Sequence, residues 1–345
     1  MRSLHVWSLI TFLVFLAAAV LPFNQALAAP PQATAPFVSS CATDGEISVE
    51  DRATLDQAAM QFVQSLLGSN PTAAYSSFTA DAKQTVSLEN FTAMVQQGIQ
   101  PMAPYTDLHV AHTYLAKVTG GTQEQRVVCG NLSSPEGWVA VTAKPGPQQA
   151  HVIVESQTRN NTWAFVIWLL WEQGHWHVQY FQATIVAMVG KSAQDLLAMA
   201  RTQQQRHHNF NASALYATAL QLAGRGPNLQ LGIEPDIQKE MTQLQVPREI
   251  QGQPPFTWQF GNSYFKVLTV GPIGVGGNIH LNIEQQVAQW TNNNDAEREN
   301  QELIAAFKKA YPEYSDVFAG LVVAAREAGG TRGYRTVDVE RESSK

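Results

Sequence analysis

Apolar positions recur at intervals of three and four along residues 48–98, and at intervals of two along residues 108–182. The first spacing lines one stripe of an α-helix and the second lines one face of a β-strand. Ser48, with Asp51 three residues on, opens a helix whose apolar stripe is Leu55, Ala58, Ala59, Phe62, Val63, Leu66 and Leu67. Gly68 stops it, Asn70-Pro71 opens a second short helix through Tyr75 and Phe78, and Ser87 opens a third through Phe91, Met94 and Val95. Strands are then predicted at Leu108–Tyr114, Arg126–Cys129, Trp138–Val141, His151–Glu155, Trp163–Trp171 and His175–Gln182. Gly120-Gly121, Ser133–Gly137, Asn160-Asn161 and Gln173-Gly174 supply the turns between them. Helices followed by hairpin-linked strands predict an α+β domain with an antiparallel sheet.

Residues Trp163–Trp171 break the alternation, because both parities are apolar. A strand with one wet face would alternate, so both flanks need cover. Trp163, Phe165, Ile167, Leu169 and Trp171 would face the helices. Ala164, Val166, Trp168 and Leu170 would need a second cover, either from the helices of residues 192–244 or from a second copy of the chain. Cover within one chain is the simpler expectation. Beyond Gly190, Ser192 starts a helix through Arg206 and Asn211 starts another through Leu222, at a spacing that resembles a single tetratricopeptide-type helical hairpin. A third helix (Pro235–Leu244), a Pro-rich linker (Pro247–Pro255), strands near Phe265–Val270 and Gly277–Ile283, and a helix Asp295–Ala310 follow. Apolar segments at Phe318–Ala325 and Tyr334–Val339 complete a mixed C-terminal region of residues 256–340, with a loose tail at 341–345.

The ends and the charge narrow the class. Met1-Arg2, the apolar run Val6–Leu21 and the small-residue string Ala26-Leu27-Ala28-Ala29 have the order of a secretory signal peptide cleaved after about Ala28. That run is shorter than the ~20 residues that span a bilayer, so no stable membrane span is expected after cleavage. A secreted or periplasmic location follows, with a Pro/Ala-rich lead-in over residues 29–47 and the first domain over 48–189. In an oxidising compartment Cys41 and Cys129, the only two cysteines, are expected to pair. The chain holds 22 Lys+Arg against 28 Asp+Glu, net charge −6, which argues against binding nucleic acid through its phosphates.

Residues Ser48 to about Val189 resemble the NTF2-like (nuclear transport factor 2-like) superfamily. The resemblance rests on the helix carrying Phe62-Val63 and Leu66-Leu67, the Asn70-Pro71 restart, the Ala74–Thr79 stretch, and the final hairpin Trp171-Glu172-Gln173-Gly174-His175-Trp176-His177-Val178. It implies a cone, in which a curved antiparallel sheet wraps the N-terminal helices, followed here by a helical hairpin and a smaller α+β region. On function that fold is almost silent, since it hosts isomerases, dehydratases and binding modules alike.

Enzymes of that superfamily place an acid, a base or a Tyr inside the apolar cone, where burial tunes its pKa. The catalytic candidates are Glu155, on one face with His151 and Ile153, together with Tyr114 and His112. Tyr75, Tyr114, Trp163 and Phe165 are the candidates for lining a pocket. His175 and His177 share a strand face at metal-compatible spacing, but no spacing fixes a third ligand, so neither metal nor cofactor is assigned. Gly271-Pro272-Ile273-Gly274-Val275-Gly276-Gly277 lies between strands and lacks the G-K-[ST] ending of a phosphate loop, so it reads as a hairpin connection. Arg326, Arg332, Arg335, Tyr334 and Glu313, close in sequence near the end, read as a group on a polar surface or in ion pairs. The expected role is an exported, non-catalytic binding or scaffolding protein for a small apolar ligand or an envelope protein, as monomer or homodimer. The alternatives are an isomerase-, dehydratase- or hydrolase-type enzyme using the cone, and a structural oligomer subunit.

Overall fold

A computed structural model describes residues 38–68, 70–330 and 332–339. The signal peptide expected at 1–28, the first part of the lead-in and the tail expected at 341–345 lie outside the described residues. Helix α1 (Val49–Leu67) begins where Ser48 Oγ accepts from Asp51 N and ends at Gly68, burying Leu55, Ala59, Phe62, Val63 and Leu66. Helix α2 (Pro71–Ser76) is capped by Asn70, α3 (Ala80–Thr85) by Thr79, and α4 (Leu88–Met94) by Ser87. Each of these caps satisfies a backbone N–H that the first helical turn leaves without a partner.

The strands of the first half are β1 (Val38–Thr43), β2 (Thr106–Thr119), β3 (Gln125–Gly130), β4 (Trp138–Ala143), β5 (Gln149–Gln157), β6 (Asn161–Glu172), β7 (His175–Met188) and β8 (Lys191–Ser192). Six of them form an antiparallel sheet in the order β1-β2-β5-β6-β7-β8. The sheet is curled, and the fold class is α+β. Helices α1–α4 cover one face, where Ala150, Val152, Val154, Trp163, Phe165, Ile167 and Leu169 meet Phe62, Leu66, Phe78 and Phe91.

Both flanks of β6 are dry as far as Leu170: Ala164, Val166, Trp168 and Leu170 are each no more than 3% exposed, whereas Trp171, expected to face the helices, lies at the hairpin tip and is 41% exposed. The second cover comes from the chain itself, but not from the expected helices. The β3–β4 hairpin, extended by β9 (Leu229–Leu231), forms a three-stranded layer in the order β3-β4-β9. Val127, Cys129, Val139, Val141 and Leu229 from that layer pack on Ile153, Ala164, Val166 and Val186. Cys41 and Cys129 are disulfide-bonded, tying edge strand β1 to β3.

Helices α5 (Ala193–Gln205), α6 (Asn209–Ala223) and α7 (Glu234–Thr242) pack instead on the C-terminal sheet. That sheet runs β10-β11-β12-β13-β14, from β10 (Phe256–Phe260), β11 (Ser263–Val275), β12 (Asn278–Val287), β13 (Gly320–Glu327) and β14 (Gly333–Val339). Strands β12 and β13 are parallel, and the crossover such a pair requires is α8 (Asn293–Ala310). Most of the glycine-rich stretch expected to be a connection is the end of β11, with only Gly276-Gly277 left for the turn. The Pro-rich stretch is tied down as well: Trp258 Nε1 donates to Glu249 O, and Tyr311 Oη donates to Glu249 Oε2 at 2.7 Å. Among the described residues no helix is long and apolar enough to cross a membrane.

Candidate functional site

The space between the helices and the first sheet holds three of the expected pocket residues, Tyr75 on α2 with Trp163 and Phe165 on β6, and rings fill the space around them. Phe62 lies 5.2 Å from Phe181 and 5.7 Å from Phe78, while Phe78 lies 5.3 Å from Phe91. Tyr75 leans on Phe78 and Phe91 and donates from Oη to Val86 O at 3.0 Å. Trp163 and Phe165 both pack edge-on against Tyr105. Offset and edge-to-face contacts at these distances are those of a close-packed aromatic core.

Tyr114 and Glu155 are on the opposite side. Buried Tyr114 packs in the layer under β3, β4 and β9, and β2 pairs it with His151. Glu155 follows two same-face positions after His151 and is half-buried. These two candidates thus share the back face, while Trp163 and Phe165 face the helices and Tyr75, on α2, faces the sheet from the helix side. His112 sits at a β2 bulge on the sheet edge, stacked 6.1 Å from Tyr114. Its Nδ1 lies 3.1 Å from Asp44 Oδ2, and Asp44 Oδ1 accepts from Thr113 N at 2.9 Å. Arg52 and Asp56 extend this polar group along α1, beside an open depression of about 350 Å³ lined by Asp44, Arg52, Asp56 and their neighbours.

Arg225, which follows the Gly224 stop of α6, is the member of the back-face group that sequence reasoning missed. Its Nη1 donates to Leu222 O at 2.7 Å, Ala223 O at 3.0 Å and Gly224 O at 3.3 Å. A cation there satisfies orphan carbonyls and suits the negative end of the helix dipole. Burial lowers the Arg225 pKa, against the opposing fields of Glu155, Glu234 and Tyr114. Burial likewise pushes the Tyr114 phenol up to about 12, with the Asp44 charge adding to the shift and Arg225 opposing it. Burial raises Glu234, whose Oε1 accepts from Leu231 N at 2.7 Å. Arg225→Met keeps the apolar stem and removes the charged donors, so a stability loss of roughly 1.5–3 kcal/mol is expected in denaturant titration. No change in midpoint would mean that the carbonyls are served equally well by water.

His151 and Gln149 form the seam between the two sheets, and both are fully buried. His151 Nε2 lies 2.8 Å from Thr142 O on β4, and the ring stacks on Trp168 at 5.4 Å. Gln149 Oε1 accepts from Lys144 N and from Trp168 Nε1, and its Nε2 donates to Lys144 O. Burial pushes the His151 pKa down to about 4, with Arg126 adding to the shift and the Thr142 bond opposing it.

The remaining motifs disperse. His175 pairs with Glu172 and His177 with Leu170 across the hairpin, whose tip carries a Trp171–Trp176 contact at 5.1 Å. Among the described residues no group of three His, Cys, Asp or Glu side chains is placed to hold a metal ion. His207 ends α5 in a left-handed conformation, and His208 bonds Gln203. Arg326 pairs with Glu284, Arg332 lies over Trp290, and Glu313 O accepts from Asn211, so these polar residues do not form one group. Comparison of the chain with protein-family models, with curated proteins and with solved structures gives no match.

Proposed function

We propose that the chain is an exported, non-catalytic binding or scaffolding protein whose first half is an NTF2-like domain. One observation carries the reading: the space between helices and sheet, where a ligand cone would be, is occupied by Phe62, Phe78, Phe91, Phe181 and Trp163. The order of helices followed by a curled antiparallel sheet supports the NTF2-like comparison. A disulfide supports an oxidising destination for the mature chain. Docking of an envelope protein on the outer surface fits this packing better than uptake of a small apolar molecule.

The enzyme alternative rests on Tyr114 and Glu155 sharing one face with Arg225, beneath the β4–β9 layer. Complementation separates the two readings. A deletion strain supplied with the double variant Tyr114→Phe, Glu155→Gln is expected to recover fully, and in-cell cross-linking is expected to give the same adducts as the wild type. A double variant that folds normally yet fails to complement would overturn the non-catalytic reading.

A further inference from the structure

Among the described residues His151 is the one histidine buried at the seam between the first sheet and the β3-β4-β9 layer. A carbonyl acceptor on β4 requires Nε2 to carry the proton, which leaves Nδ1 as the unprotonated nitrogen. That Nδ1 is buried and has no hydrogen-bond partner. Adding a proton to Nδ1 would create a cation with no acceptor for its new N–H.

The groups facing the ring give such a cation no relief. Tyr114 on β2 stays neutral far above physiological pH. Arg126 on β3 donates to Ala140 O and Pro227 O, and Lys144, just past β4, stands over the Trp168 ring at 5.9 Å. Both are cations. Among the described residues β6 and β9 bring no titratable group to the ring. Glu155 on β5 itself lies four residues along, roughly 13 Å at strand spacing.

We propose that His151 is an acid-release catch: protonation of its imidazole frees β4 from the back of the first sheet. The Cys41–Cys129 bond keeps β3 tethered to β1, so the layer swings open without leaving. Opening hydrates the ring and uncovers an apolar surface of Ile153, Ala164, Val166 and Val186. The sign follows from linkage. The closed ring titrates near 4 and an open ring near 6.5, so between these values the open form binds more protons and acid favours it. More than about one pH unit above 6.5 the two forms bind equally and the catch is indifferent to pH.

Hydrogen–deuterium exchange of the mature, disulfide-bonded chain tests this, with each amide corrected for its intrinsic rate. Between pH 6.5 and 5, above most carboxylate titrations, the opening constant of the β4 amides is expected to rise about fifteenfold in all. Amides of α8 should stay level over the same window, and His151→Gln should remove the β4 slope. A β4 slope equal to that of α8, or one that persists in H151Q, overturns the proposal. Should H151Q fail to fold, the NMR titration of the His151 ring in the wild type decides. A ring titrating near 6.5 while β4 stays protected would also overturn it.

Discussion

Replacing both cysteines, Cys41→Ala with Cys129→Ala, is expected to lower the unfolding free energy by about 4–5 kcal/mol, the chain-entropy value for a closure of this length. The bond spans a sequence separation of 88 residues and joins strands of different sheets. Its position makes the loss local as well as global. Strand β1 is an edge strand whose backbone pairs with β2 alone among the described residues, and Val38–Ser40 are exposed. Among the described residues strand β3 pairs only with β4. Without the bond, β1 should be the first segment to exchange its amides. Scanning calorimetry with and without reductant checks the magnitude, and an unchanged melting temperature would mean that the two strands hold without the link. In the double variant the β3-β4-β9 layer also loses its tether, so acid should detach it at a higher pH than in the parent.

How legible these features are in the sequence depends on how local their causes are. Helix α1 is written in full, because Ser48, the apolar stripe and Gly68 each act within a few residues. Strand β6 declares its double burial through composition alone. Its cover could not be assigned, since β9 is only Leu229–Leu231 and has no periodicity to read. Strand β1 (Val-Ser-Ser-Cys-Ala-Thr) is too polar to signal a strand and is paired through its backbone. In β11 the glycines masked a strand that needs one of them. A Cβ on Gly274 would stand 2.9 Å from Val189 Cγ1 and 3.2 Å from Asn160 Cβ, where the turns of the first sheet meet the second. Alternation correctly set Glu155 and His151 on one face. It could not bring Arg225 or Asp44 beside Tyr114, because those approaches belong to tertiary packing between distant segments.

The same packing predicts that the two halves unfold together, and Phe210→Ala is the substitution that shows it. Phe210 is 1% exposed near the start of α6, with ring centroids of Tyr311 at 4.6 Å, Phe307 at 5.1 Å and Trp258 at 6.1 Å. These rings come from α6, β10, α8 and the residue after it, so the truncation leaves a cavity that no single element can collapse. A loss of roughly 3–5 kcal/mol is expected, as for other buried Phe→Ala changes. Phe62→Ala in the first interior should cost a similar amount, since Phe62 is equally buried. The two interiors are not independent: Ile185 on β7 packs against both, and Met188, also on β7, belongs to the second. Asn160 Nδ2 further donates to Gly274 O at 3.1 Å across the same junction. Each substitution should therefore move one shared calorimetric transition downward rather than split it. Two separated transitions, with Phe210→Ala shifting only one of them, would show that the junction at β7 is too weak to couple the halves.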